Sequence, residues 1–288
     1  MPLRIMLLGA TGRLGSYLAR VLSQKFNVFA PGPRFNQPPQ IDRVKWLPSA
    51  IDVRRQVGFE QLMEEVSPDV VINCIAITPG SLGDNDVQSV ILTNSVFPHY
   101  VSGVTQKCGA RLIHLSTDAV FSGRKGGYTE ACAPDPGDLY GRSKLLGEVI
   151  SENCVTIRTS FYGPCAQGRG LVDWIISKKN QTIEGYRDYM FSGLSMTSLA
   201  RAIIEVIDKD SDMAGLYHLG GPKISKLELL EMLSETLKLD VKVRAVNGQV
   251  IDRSLDATRF YSDTGLDIPT LESMMLEVEE EARFLGML

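Results

Sequence analysis

The sequence predicts a doubly wound parallel α/β sheet carrying a smaller carboxyl-terminal α/β lobe, on three observations. Short apolar, β-branched runs alternate with helical periods through the first 160 residues, a glycine turn follows the first run, and beyond "VTIRTSFYG" glycines and aromatics replace that alternation. "LRIMLL" is the first strand, ending at Gly9, and Leu14, Leu18 and Val21 set the period of the helix behind it. "NVFA" is the second strand and runs into "PGPRFNQPP", which can continue neither strand nor helix. A short strand is expected at "SAIDV", then a helix at "FEQLMEEV". "DVVINCIAI" has the near-continuous apolar content of a strand covered on both faces. A long helix from about Val87 to Cys108 leads to another buried strand, "ARLIHLST".

Farther on, Thr197 is expected to cap a helix over Ser198 to Asp208, and "GLYHLGG" reads as one more strand. "SKLELLEMLSETL" starts at a Ser225 cap and turns Leu227, Leu230 and Leu233 or Leu237 to one face. The last segment, "TLESMMLEVEEEARFL", points Leu271, Met274, Val278, Ala282 and Leu285 inward and leaves its acidic run as a solvated face. The expected division is residues 1–160 with about 191–222 for the sheet domain, and about 161–190 with 223–288 for the lobe.

Composition excludes several function classes. With 288 residues, 44% apolar and 22% charged, the chain has ordinary globular composition and enough length for a large core. A net charge of −4 offers no basic face for nucleic acid. The longest apolar runs fall short of the roughly 18 residues of a membrane span. "MPLR" passes straight into the first strand, so no leader or transit peptide is expected. Five scattered cysteines with no CxxC pair fit reduced thiols in a cytoplasm, and three histidines show no ligand spacing, so no metal is expected.

"GATGRLG" places Gly9, Gly12 and Gly15 directly after a strand and at the opening of a helix. There the first glycine permits a tight turn, the second lets backbone approach a pyrophosphate, and the third lets helix and strand pack closely. The helix N-terminus offers its N–H groups to the anion. This is the dinucleotide-binding Rossmann arrangement, and it nominates Gly9, Thr11, Gly12, Arg13, Leu14 and Gly15 as cofactor residues. An NAD site would place an acid roughly 20 residues on. Residues 27–41 contain none, while Arg34 stands in that loop and Arg13 in the glycine turn. Two cations suit a 2′-phosphate, so NADP(H) is favoured, with NAD(H) the alternative. Asp52 and Val53 are candidates at the adenine. Asn73 to Ala76, including Cys74 and Ile75, read as the turn that closes over the ribose and nicotinamide.

In "DLYGRSKLLGE", Tyr140 and Lys144 lie four apart, on one helix face and about 6 Å apart along the axis. An ammonium near a phenol favours phenolate and is expected to draw the tyrosine pKa down from about 10. Thr117, at the carboxyl end of the "RLIHLST" strand, adds a third member where open α/β sheets bind ligands. Leu145 and Leu146 are expected to anchor this helix to the core.

"GATGRLG", "VINCIA", "LSTDAVFSG", "YTE", "LYGRSKLLGE" and "IRTSFYG", in this order, resemble the extended short-chain dehydrogenase/reductases, within them the dTDP-4-dehydrorhamnose reductase branch. "GLYHLGG" and "RSLDATRF" extend the resemblance over nearly the whole chain. It implies a triad of Thr117, Tyr140 and Lys144 that reduces the C4 keto group of a nucleotide-linked 4-keto-6-deoxy sugar in deoxysugar biosynthesis. In this role Tyr140 donates a proton to the C4 oxygen, Thr117 hydrogen-bonds the same oxygen, and Lys144 holds the nicotinamide ribose. It also implies a helix-bending polar residue at Asn94 and pairing of two copies through helices flanking the sheet.

Asp118 is followed by Ala119, so the Asp-Glu pair with which related 4,6-dehydratases eliminate water is missing. Ala119 also replaces the aromatic residue often found there in rhamnose-forming reductases. Thr117, Asp118, Arg158, Ser160 and Trp174 are the substrate candidates, Arg158 for the diphosphate and Trp174 for stacking on base or sugar. A buried ion pair for Arg158 and a core role for Trp174 are the competing structural readings. Two other functions fit the same branch: a non-catalytic, NADP-binding regulatory subunit like that of methionine adenosyltransferase, and a sugar-nucleotide epimerase that returns its cofactor unchanged.

Overall fold

The computed structural model describes residues 2–32, 41–48, 51–79, 86–165, 168, 170–209 and 213–288. The chain divides into two compact units: residues 1–120, 136–158 and 206–217 form one, and residues 121–135, 159–205 and 218–288 the other.

The first unit is built on β1 (Arg4–Leu8), β2 (Asn27–Pro31), β3 (Val44–Leu47), β4 (Val70–Asn73), β5 (Arg111–Leu115) and β6 (Cys154–Thr159). Its helices are α1 (Arg13–Leu22), α2 (Phe59–Val66), α3 (Val87–Ile91), α4 (Phe97–Lys107) and α5 (Leu139–Leu146), with a π segment, Leu92–Val96, joining α3 to α4. The strands lie in the order β3-β2-β1-β4-β5-β6, and Gly215–Leu219 adds a seventh beside β6. All pairings from β3 to β6 are parallel. This is the doubly wound order, and it reverses direction between β1 and β4, the position at which such sheets bind ligands beyond the strand carboxyl ends.

Alternation along each strand explains the core. Met6, Val71, Leu112 and Cys154 sit opposite one another in register and form a single apolar row across the sheet. Phe59, Leu62, Met63 and Val66 of α2 and Phe97, Val101 and Val104 of α4 close over that row. Phe59 and Phe97 meet edge to face with centroids 6.5 Å apart. Every residue of β4 and β6 is buried, as strands covered on both faces must be.

The structure corrects the sequence expectations locally. "DVVINCIAI" stays in the sheet only to Asn73, where the chain turns away. No strand forms at the described part of "SAIDV": Asp52 makes one bridge to Val57, and its carboxylate accepts from the N–H groups of Arg54 and Arg55 at 3.1 Å each, closing a turn. The third strand is instead Val44–Leu47, an edge strand whose exposed Lys45 hid it.

The second unit pairs Thr182–Tyr186 with Lys242–Val246, and Tyr189–Phe191 with both Ile224–Ser225 and Ile251–Asp252. Its helices are α6 (Leu171–Ile176), α7 (Met196–Asp208, which ends in the first unit), α8 (Lys226–Thr236), α9 (Thr258–Thr264) and α10 (Leu271–Phe284). Ser225 caps α8 in a full capping box with Glu228, as expected, while Leu229 rather than Leu227 joins Leu230, Leu233 and Leu237 inside. The cap of α7 is Ser195, whose Oγ accepts from Ser198 N at 3.0 Å, and not Thr197. The acidic run of α10 is only partly solvated. Glu277 accepts from the hydroxyls of Ser195 and Ser198 and from Arg201, so it braces the start of α7.

The boundary also moves. Residues 121–135 belong to the second unit because Phe121 stacks on Tyr128 at 4.0 Å, and Tyr128 N donates to Ser254 O at 2.9 Å. No helix among the described residues is long and apolar enough to cross a membrane.

Candidate active site

The glycine turn forms one wall of a cavity of about 320 Å³ at the carboxyl ends of β1 and β4. Gly9, Thr11, Gly12, Val53, Cys74, Ile75 and Ala76 all line it. Gly9 has φ +81°, a conformation that costs a side chain strain, and a Cβ there would stand 3.1 Å from the Cys74 carbonyl carbon. A Cβ on Gly15 would stand 2.0 Å from the Gly9 carbonyl oxygen, so the closeness of α1 to the turn depends on glycine. Gly12 caps α1, and no acid stands in the first turn, so the helix start presents backbone N–H groups to an anion. This cradle fits a dinucleotide diphosphate. Leu14 and Gly15 are buried under the turn rather than in the cavity wall, where they fasten α1. Asp52 does not line the cavity, because its carboxylate is committed to its own turn. Arg34 lies outside the described residues.

Asn73, fully buried, shapes the opposite wall. Its Oδ1 accepts from Ile75 N at 3.1 Å, and its amide nitrogen lies 3.3 Å from His114 Nδ1. Burial, with Lys144 nearby, holds His114 well below the usual histidine range, so it is neutral and able to accept.

Tyr140, Thr117 and Lys144 meet around the end of β5. Asp138 caps α5 by accepting from Gly141 N at 2.7 Å, and Tyr140 stands in the first turn. Thr117 lies near enough to the Tyr140 phenol to act on its ionisation. Burial raises its pKa above the ordinary tyrosine value, with Asp118 and Asp138 acting in the same direction, against Thr117 and Arg13. This reverses the expected direction. The cation acting on the phenol is Arg13, whereas the Lys144 ammonium donates to the Leu115 carbonyl at 2.7 Å. Burial lowers Lys144 to about 8, against the opposing pull of Glu148 and Cys74. Tyr140 is therefore a neutral phenol at physiological pH and can give up a proton.

Of the two leucines expected to anchor α5, Leu145 is half-buried and Leu146 is not. Leu146 is 66% exposed, and the buried side is Gly141, Ser143 and Lys144. A Cβ on Gly141 would lie 2.2 Å from Ala119 O, and one on Gly147 only 1.9 Å from Asn94 O, so backbone packs directly on backbone. The π segment supplies the counter-surface, as the resemblance implied for Asn94. Asn94 accepts from Ile77 N at 2.8 Å and donates to Ile77 O at 2.9 Å and to Ser143 Oγ at 3.1 Å, while Ser95 Oγ donates to Ser143 O at 2.8 Å. Asn94→Ala should leave these buried groups unpaired and cost about 1–3 kcal/mol, read by urea denaturation, with a fall in turnover as α5 loosens.

The substrate candidates separate. Asp118 accepts from Thr117 Oγ1 at 3.3 Å. Arg158 is 3% exposed and engages Glu148 through Nε at 2.8 Å and Nη2 at 2.7 Å, so the expected diphosphate contact gives way to a buried ion pair. Ser160 and Trp174 belong to the second unit, where Trp174 is 40% exposed on α6 and has no core role. Ser116 and Glu148 were not singled out from the sequence. The signal for Glu148 was its place four residues beyond Lys144 in "KLLGE".

The fold has counterparts among known proteins. A probable low-salt glycan biosynthesis reductase of Haloferax volcanii is 26% identical over 94% of this chain and 95% of its own. A dTDP-4-dehydrorhamnose reductase of Mycobacterium tuberculosis is 30% identical over 71% of this chain and 66% of its own. Among solved structures, a dTDP-4-dehydrorhamnose reductase from Bacillus anthracis in complex with NADP shares the fold with a TM-score of 0.83, at 23% identity over 98% of this chain and 100% of that one. Residues 3–259 match the family model described as the RmlD substrate binding domain, and the chain belongs to that family.

Proposed function

We propose that this protein is an NADPH-dependent reductase of the C4 keto group of a nucleotide-linked 4-keto-6-deoxy sugar, of the dTDP-4-dehydrorhamnose type. The observation that carries this reading is the gathering of Thr117, the Tyr140 phenol and buried Lys144 at the end of β5, in the same unit as the glycine cradle. The cofactor, when bound, supplies the hydride. Backbone N–H groups at the start of α1 hold its diphosphate, and the acid-free sequence of residues 27–41 favours the additional 2′-phosphate of NADP. Thr117 and Tyr140 bind the carbonyl oxygen, and Tyr140 delivers the proton that makes it a hydroxyl. Lys144 remains cationic below about pH 8 and holds the nicotinamide ribose. The single carboxylate of "STDAV" supports reduction over elimination. The reading places the enzyme in the cytoplasm, with Ser160 and Trp174 as substrate contacts. It also assigns the exposed Val87, Ile91 and Val96 to pairing of two copies, which sedimentation would check.

Incubation with NADPH and dTDP-, GDP- and UDP-linked 4-keto-6-deoxy sugars, followed by absorbance of the reduced nicotinamide, tests the proposal. Consumption that depends on the keto sugar is expected; absence of turnover on the whole panel sinks the reading. Gly15→Ala, which forces α1 off the turn, should weaken NADPH binding about 10- to 100-fold in a fluorescence titration.

A further inference from the structure

Glu148 lies two residues past the end of α5, and its side chain is 6% exposed against 4% for Arg158. One carboxylate oxygen accepts from Ser116 Oγ at 2.7 Å and Arg158 Nε at 2.8 Å, and the other from Arg158 Nη2 at 2.7 Å. Ser116 is the residue before Thr117. Its N–H is held by Ile157 O of β6 at 2.7 Å, and the carbonyl of Leu115, one residue earlier, accepts from Lys144 at 2.7 Å. The strand end that presents Thr117 is thus gripped by Lys144 and Glu148, one turn apart.

Stability alone does not account for such a pair. A buried ion pair contributes little net stability compared with apolar residues of the same volume, whereas it fixes geometry closely. The groups acting on Lys144 point the same way. His114 of β5 is neutral, the Cys74 thiol after β4 is pushed up to about 12 by burial and is also neutral, and Arg158 of β6 is turned onto Glu148. Glu148 acts on Lys144 in favour of the ammonium, as does the Leu115 carbonyl that accepts from it.

We propose that Glu148 is a positioning residue of the reductase centre: it holds Ser116, and with it Thr117, at the end of β5. The inference rests on the reductase reading.

Glu148→Gln alone would leave Arg158 a buried, unbalanced cation, so the test uses Glu148→Gln/Arg158→Gln together with Ser116→Ala. The NADPH dissociation constant is titrated across the pH range, and kcat and KM are then measured. In the wild type, affinity is expected to fall as pH rises through about 8, where Lys144 loses its proton. In the double variant kcat should fall about 10- to 100-fold with NADPH affinity kept, because Ser116 loses the carboxylate that holds it. Ser116→Ala should keep the break and the NADPH affinity while kcat falls about 10- to 100-fold, the scale for a displaced catalytic group.

A folded double variant, or Ser116→Ala, with wild-type kcat overturns the proposal. If the double variant does not fold, Ser116→Ala decides. Wild-type protein that binds NADPH but reduces no keto-sugar nucleotide would sink the reductase reading instead.

Discussion

Tyr140→Phe is expected to lower kcat by about 10²- to 10⁴-fold while NADPH binding stays near the wild-type value, as for a general acid removed without loss of shape. The ring remains to pack at the start of α5, and Thr117 keeps its bond to Asp118. Only the transferable proton is lost. Because burial raises the phenol above its usual pKa, it stays protonated through neutral pH, so the wild-type rate should not fall there from phenol ionisation. The fall should instead follow Lys144 as pH rises through about 8. Stopped-flow measurement of a single turnover separates chemistry from product release. A phenylalanine variant with near-normal turnover would remove Tyr140 from its assigned role.

The second large effect concerns stability. Arg158→Ala would leave the Glu148 carboxylate buried beside Ser116 without its counter-charge, and it should cost about 3–5 kcal/mol in urea denaturation. A direct diphosphate contact predicts a different result: a raised KM for the sugar nucleotide with stability preserved. The two outcomes are opposite in kind, and the 4% and 6% exposures of the paired side chains favour the first.

Much of the fold was legible because it rests on local patterning. The strand-glycine-helix opening, the buried runs at Val70–Asn73 and Arg111–Leu115, and the Ser225 cap each depend on residues within a few positions of one another. Val44–Leu47 was not legible, since a four-residue edge strand with an exposed lysine has neither the length nor the apolar content of its neighbours. The same limit hid the anchoring of α5. "LYGRSKLLGE" shows two leucines, and only the approach of Ala119 O and Asn94 O reveals that the glycines face inward.

By itself, then, the sequence determined the doubly wound class and the phosphate cradle, because strand ends and glycine spacing place them, and its family resemblance nominated Thr117, Tyr140 and Lys144 as one centre. Tertiary structure alone decided their electrical state and support. Arg13 rather than Lys144 acts on the phenol, and Arg158 closes on Glu148 from another strand. The physical reason is range. Periodicity reports which face a residue occupies, whereas burial and charge pairing depend on groups far apart in sequence, as Ser116 and Glu148 are, 32 residues apart.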